Sequence, residues 1–177
     1  MYPLGHVGIG MRIVPARARA GLSAGWLAFG CLLPDLIDKP VFVAARVARR
    51  TLPDSFDVWL EALHGSRLLG HSLFFFAAVV VAAVFTRAGW LRAVAWGVST
   101  HLLLDIVPDL VSGARLQAPT WLLWPVFGWG FPFDTTSAHR SHGGYSIEGL
   151  IYNFGELVGA ALIIVEVARR SRARAQP

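Results

Sequence analysis

The chain has 177 residues, enough for one compact domain, and 55% of them are apolar. Its single cysteine excludes an intrachain disulfide and any zinc site built from several cysteines. The formal charge is +5, but the basic residues flank apolar segments, a pattern typical of membrane topology rather than of nucleic-acid binding. We therefore expect one membrane-embedded domain over residues 1–177 that does not bind nucleic acid.

The predicted elements begin with short segments. Residues 2–14 form a short amphipathic or inserted stretch. An apolar run rich in small residues begins at Gly21 and meets Pro34. The residues before this proline are too few to cross a bilayer alone at about 1.5 Å per residue. We expect a segment over about 21–38 that either continues past the proline with a kink or packs inside a bundle.

Three further apolar segments follow, at about 68–86, 90–108 and 147–168. Each approaches the roughly 20 apolar residues that cross a bilayer. The connection over 113–146 is rich in Trp, Phe, Pro and Gly, which favours an interfacial or re-entrant segment. The predicted fold is all-α, a polytopic membrane helix bundle with short helices.

The basic residues also predict an orientation. If the connection after residue 86 faces the cytoplasm, nine of the sixteen lysines and arginines fall on that side. Basic loops favour the cytoplasmic side of an inner membrane. The same orientation gathers ionisable residues of separate segments near the outer face. These residues are His6, Asp35, Asp38, His71, His101 and Asp105.

The strongest site pattern is formed by His101 and Asp105 in the stretch STHLLLD. A spacing of four places both on one helix face, where an imidazole and a carboxylate can share a divalent ion. An intramembrane carboxylate is costly without a partner, so this pair indicates a metal or catalytic site. The alternative is a His–Asp hydrogen bond that only locks helices together.

Two carboxylates and a histidine extend this pattern. Asp35 and Asp38 lie three residues apart and repel each other unless a cation intervenes, whereas Lys39 is their partner in a purely structural interpretation. His71 starts the clearest apolar segment and is either a site residue or an interfacial polar residue. Arg67, one turn earlier, either binds an anionic substrate group or anchors the interface.

The remaining candidates have weaker patterns. His6 lies in the glycine-rich stretch PLGHVGIG, which predicts close helix packing around it. Glu156 lies deep in the last apolar segment and is either a buried ion-pair partner or a site residue. The roles of His64, His139 and His142 stay open.

The motifs, taken in order, resemble a known family. An early histidine is followed by LPDLID, GSRLLGHSL, STHLLLD and LLWP. This order is similar to that of the bacterial and archaeal membrane-bound metal-dependent hydrolases, also called YdjM-like, and it covers residues 3–126. The last two motifs match the family pattern. The spacing of the acids in LPDLID is wider, and GSRLLGHSL lacks the first histidine and the threonine of its counterpart.

The resemblance implies a divalent metal, zinc or manganese, and a set of residues that hold it. The implied ligands are His6, Asp35, His71, His101 and Asp105. Arg67 is the expected binder of a substrate anion, and Asp38 or Glu156 the expected general base.

Three functional hypotheses remain. The first is a hydrolase of the inner membrane that acts on a lipid-like phosphoester or acyl substrate through a metal-activated water near the outer face, in contact with membrane lipids. The second is a non-catalytic membrane protein with a structural metal or a polar His/Asp network. The third is a small ion or proton relay, which the lack of internal repeats disfavours.

Overall fold

The computed structural model describes residues 3–51, 69–111, 120–126 and 147–175. Within these ranges the chain forms six α-helices and one short 3-10 helix, with no β-strand. The helices are α1 (Pro3–Ile13), α2 (Ala16–Arg19), α3 (Ala24–Thr51), α4 (Leu73–Thr86), α5 (Gly89–Val111) and α6 (Ile147–Ala175), and the 3-10 helix is Thr120–Leu123. The predicted all-α fold is confirmed.

Helix α3 is longer than the sequence predicted. It runs through both Pro34 and Pro40 to Thr51, beyond the predicted end near residue 38. Each proline removes a backbone donor from the helix. The extensive packing of α3 along α5 offsets that loss.

Helix α4 is shorter than predicted because Ser72 caps it. The Ser72 hydroxyl accepts a hydrogen bond from the Phe75 amide at 3.1 Å and donates one to the Leu69 carbonyl at 2.8 Å. The helix ends at Arg87, whose φ of 55° is left-handed. Its 14 residues extend about 21 Å at 1.5 Å per residue.

No helix in the described ranges is long and apolar enough to cross a membrane, so the predicted membrane spans are not found. Most of the predicted interfacial connection over 113–146 lies outside the described residues.

The backbones of α3 and α5 are in direct contact at two glycines. A Cβ on Gly30 would lie 2.4 Å from the Val94 carbonyl oxygen, and one on Gly97 would lie 2.5 Å from the Leu27 carbonyl oxygen. Small residues of this kind let helices approach more closely than larger side chains allow. This contact sets the distance between the two helices that carry most of the candidate site.

Helices α1 and α6 are also in direct backbone contact at glycines. A Cβ on Gly8 would lie 2.1 Å from the carbonyl oxygen of Gly159. The close packing expected around His6 is therefore present, and its partner is the last helix. Helix α1 also packs against α3 and α5.

The segment after α5 contributes to the core. Trp124 of the LLWP motif is only 7% exposed and packs against α5. The buried cluster around it consists of Val94, Val98, Leu102, Leu122 and Trp124. The expectation that the tryptophans of this segment lie at an interface is thus wrong for Trp124, because the side chain fills the space beside α5.

Candidate metal centre

Three imidazole rings from separate parts of the chain meet beside the second half of α5. His6 comes from α1, His71 from the turn before α4, and His101 from α5. The Nε2 atoms of His71 and His101 are 3.1 Å apart. His6 and His101 are almost fully buried, and the side chain of His71 is 18% exposed. The rings therefore form one cluster shielded from solvent.

The Asp105 carboxylate lies at the centre of this cluster. One of its oxygens is 3.2 Å from His6 Nε2, and the other is 3.2 Å from His101 Nε2 and 3.3 Å from His71 Nε2. Asp105 and His101 share a helix face, as their spacing predicts. One carboxylate thus contacts the same ring atom of all three histidines.

Asp35 closes the cluster on the side of α3. Its Oδ1 atom is 3.7 Å from His71 Nε2, and its Oδ2 accepts a hydrogen bond from Lys39. The ligand atoms form two groups that share His101, and within each group they lie within 4.8 Å of one another. The groups are His6, His101 and Asp105, and Asp35, His71 and His101. The structure brings together the five residues predicted as metal ligands.

The second ring nitrogen fixes the orientation of two of these histidines. His101 Nδ1 lies 2.6 Å from the Cys31 carbonyl oxygen. A carbonyl can only accept, so Nδ1 carries the proton. His71 Nδ1 lies 2.7 Å from Asp38 Oδ2. Histidines that bind metals usually donate their other N–H to a carbonyl or a carboxylate in this way, which directs Nε2 at the ion.

Asp38 holds the whole turn that carries His71. Its carboxylate also accepts hydrogen bonds from the backbone amides of Gly70 at 2.9 Å and His71 at 3.2 Å. A carboxylate engaged by three donors is poorly placed to accept a proton from water. The structure therefore shows Asp38 positioning His71, and the role of Asp38 as a general base stays a prediction.

Asp38→Asn is expected to weaken metal binding about 10–100-fold, the usual effect of losing a partner that orients a ligand. Asparagine keeps the size of the side chain and can still accept from Gly70, but it loses the charge that holds His71. Competition with a chromophoric chelator measures the affinity. Glu166→Gln serves as the control, because Glu166 pairs with Arg12 and Arg170 outside the cluster. An unchanged affinity in Asp38→Asn would contradict the positioning role.

The rings of His6 and His101 are stacked, with centroids 3.8 Å apart and planes inclined by 13°. Two protonated rings at this distance repel each other, so at least one is neutral. Burial lowers the pKa of His6, although Asp105 partly opposes this effect. Neutral imidazole is the form that binds metals.

At Asp105 and His71, interactions with neighbouring side chains outweigh the effect of burial on the pKa. Burial alone would raise the pKa of Asp105, but hydrogen bonds from His101, His6 and His71 hold it well below its ordinary value. Burial alone would lower the pKa of His71, but Asp105 and Asp38 raise it to about 9. The carboxylates of the cluster therefore stabilise positive charge placed among them.

Glu156, a predicted site residue, is not part of this cluster. The Glu156 carboxylate accepts hydrogen bonds from the amides of Leu4 at 3.2 Å and Gly5 at 2.8 Å. It caps the first turn of α1, where a negative charge is favourable, and so positions the helix that carries His6. Arg67 lies outside the described residues, as do His64, His139 and His142.

Main-chain groups around the site were missed by the sequence analysis. The Cys31 carbonyl and the Gly70 amide carry no side-chain pattern that could have identified them. The glycine itself was a usable signal, because a Cβ on Gly70 would lie 2.7 Å from the Pro34 carbonyl oxygen. Only glycine lets this turn approach α3 so closely.

These observations define an all-α protein with a buried group of histidines and aspartates that could hold a metal ion. The model of a family described as YdjM inner membrane protein matches residues 1–172, and the chain belongs to this family. The resemblance drawn from the motifs is confirmed. No curated protein and no solved structure matches the chain.

Proposed function

We propose that this member of the YdjM family is a metal-dependent hydrolase that acts on a lipid-like phosphoester or acyl substrate. The observation that carries the proposal is the convergence of three imidazole nitrogens on the Asp105 carboxylate, at 3.2–3.3 Å. Mixed nitrogen and oxygen donors suit zinc, with manganese as the alternative. Hydrogen bonds at the Nδ1 atoms orient the rings of His71 and His101, and this orientation supports a metal ion at the site.

The residues have separate proposed tasks. A divalent ion supplies Lewis acidity and makes water nucleophilic near neutral pH. The proposed ligands are His6, Asp35, His71, His101 and Asp105. Asp38 and the Cys31 carbonyl orient two of the rings so that their Nε2 atoms would hold the ion, and Glu156 keeps α1 in place.

An apolar groove beside Asp35 supports an amphiphilic substrate. It has a volume of about 640 Å³, in the range of known ligand pockets, and Leu32, Leu36 and Val43 are among its lining residues. Lys39 also lines it and is 54% exposed. An acyl chain fits the apolar wall, while the Lys39 ammonium suits an anionic group close to the proposed ligands.

Exposed apolar side chains support membrane lipids as the surroundings of this protein. Phe85 at the end of α4 is 83% exposed, and Leu157 in α6 is 71% exposed. Extended apolar surface of this kind marks contact with lipid or protein. Location in the inner membrane follows the description of the family, and placement of the site towards the outer face follows from the arginine distribution.

A non-catalytic polar network is the second candidate. It is favoured by the fact that each Nε2 atom already has a carboxylate partner within 3.3 Å. Such contacts could tie α1, the His71 turn and α5 together without an ion. A polar network of this kind predicts that the protein neither binds a metal nor hydrolyses a substrate.

Zinc-loaded wild-type protein is expected to hydrolyse members of a panel of nitrophenyl phosphodiesters and long-chain nitrophenyl esters in detergent micelles. Asp105→Asn should lower the turnover more than 100-fold, beyond the roughly 10–100-fold typical of residues that only orient a ligand. Glu166→Gln should leave turnover unchanged. Metal-loaded wild type without turnover on any substrate, or equal turnover in Asp105→Asn, would contradict the hydrolase and favour a structural site.

A further inference from the structure

A second groove lies between α4 and α5, away from the candidate metal centre. It has a volume of about 740 Å³. Its walls are largely apolar. They include Leu22, Phe76, Val80, Val84, Ala95 and Trp96. From Phe76 to Arg87 the groove follows α4 for about 16 Å, at 1.5 Å per residue.

Two arginines line one end of this groove. Arg87 follows the last residue of α4, and Arg92 lies in the first turn of α5. Both are exposed. In the part of the chain that the structure describes, the ion pairs of arginines are those of Arg12 and Arg170 with Glu166. Neither groove arginine is neutralised by a described carboxylate.

The backbone at Arg87 adds a second observation. Its φ of 55° lies in the left-handed region, which glycine usually occupies where a helix ends in this conformation. A side chain with a Cβ is strained in this conformation. Strain of this kind is a reason to look for a role of the side chain.

The charged end of the groove is far from the metal centre. Ser72 and His71 lie at the start of α4, and Arg87 lies at its end, about 21 Å along the helix axis. The groove is thus a separate feature. Its interpretation does not depend on the proposed hydrolase.

We propose that this groove binds an anionic phospholipid, with the phosphate at Arg87 and Arg92 and one acyl chain along the wall formed by α4 and α5. An apolar wall accommodates an acyl chain, and two guanidinium groups without a described carboxylate partner favour an anionic headgroup at the end of that wall. An anionic lipid provides both an acyl chain for the apolar wall and a phosphate for the two arginines. Guanidinium groups also match phosphate oxygens in a bidentate geometry.

Trp96 provides a reporter inside the groove. Full-length protein in detergent micelles is titrated with phosphatidylglycerol or phosphatidylcholine that carries bromine on the acyl chains, and quenching of tryptophan fluorescence is recorded. Trp96→Phe identifies the part of the signal that comes from the groove. Each basic residue near an anionic lipid contributes about fivefold in affinity. With two such residues, half-maximal quenching of Trp96 should need about 25-fold less phosphatidylglycerol than phosphatidylcholine.

Arg87→Gly combined with Arg92→Gln is expected to abolish this preference. Glycine adopts the left-handed conformation without strain, so the turn should stay intact. Arg169→Gln combined with Arg172→Gln removes the same charge from α6, outside the groove, and should keep the preference. The proposal is overturned if wild type quenches equally with both lipids, if the groove variant keeps the preference, or if both double variants lose it to the same extent.

Discussion

Detergent-purified wild-type protein is expected to bind a divalent metal near-stoichiometrically, and the Asp105→Asn variant is expected to lose it. The reason is geometric: the two oxygens of Asp105 contact the Nε2 atoms of His6, His71 and His101 at 3.2–3.3 Å. Asparagine keeps the volume but removes the charge and one oxygen donor. Elemental analysis of wild type and variant, purified side by side after zinc reconstitution, measures the effect.

His101→Ala should lose the metal to the same extent, because this ring belongs to both groups of ligand atoms. Glu166→Gln is the matched control, since it removes a carboxylate of α6 that pairs with Arg12 and Arg170. Metal content equal to wild type in His101→Ala would refute the ligand assignment. Wild type without metal, even after reconstitution, would leave the polar network as the function of the cluster.

The second large effect is expected at the contact between α3 and α5. Gly30→Ala should lower the free energy of unfolding by about 3 kcal/mol, at the upper end of the usual cost of overpacking. The added Cβ would lie 2.4 Å from the Val94 carbonyl oxygen and 2.8 Å from the Val94 Cα, so the two backbones must separate. Denaturant titration in detergent, followed by circular dichroism, measures the change.

Gly25→Ala is the control in the same helix. A Cβ on Gly25 would meet no atom within 4 Å. Alanine restricts the unfolded chain and favours the helix, so this variant should be neutral or up to about 1 kcal/mol more stable. Equal effects of the two substitutions would show that α3 and α5 are not held at the distance seen in the structure.

Short-range spacing made part of the site predictable. A helical separation of four placed His101 and Asp105 on one face, and a separation of three placed Asp35 and Asp38 on one side of their helix. Both statements use only the geometry of one helix. The pairing of Asp35 with Lys39, expected under the structural interpretation, is also present.

Contacts between distant segments were not predictable from residue types alone. Nothing in the sequence around Glu156 indicates that its partners are the amides of Leu4 and Gly5. In the same way, the two acids after Pro34 do not reveal that one faces the Nε2 atom of His71 and the other binds Nδ1. Such details depend on how helices cross, which is decided by packing across the whole bundle.

Apolar runs were also a poor guide to helix ends. The run over 68–86 predicted a helix that begins near its first residue, whereas the hydroxyl of Ser72 caps the helix and delays its start to Leu73. The segment with Pro34 was expected to continue past the proline to about residue 38, whereas α3 continues to Thr51. In both cases local hydrogen bonding or packing outweighed the composition of the segment.

The cap that Glu156 places on α1 has a consequence for the order of assembly. The hydrogen bonds that fix the start of α1 join residues 151 and 152 positions apart in the chain. During synthesis, α1 leaves the ribosome before α6 and cannot acquire this cap or its contact with Gly159 until α6 has been made. The helix that carries His6, the first of the proposed ligands to be synthesised, is therefore not fully fixed until α6 has been made.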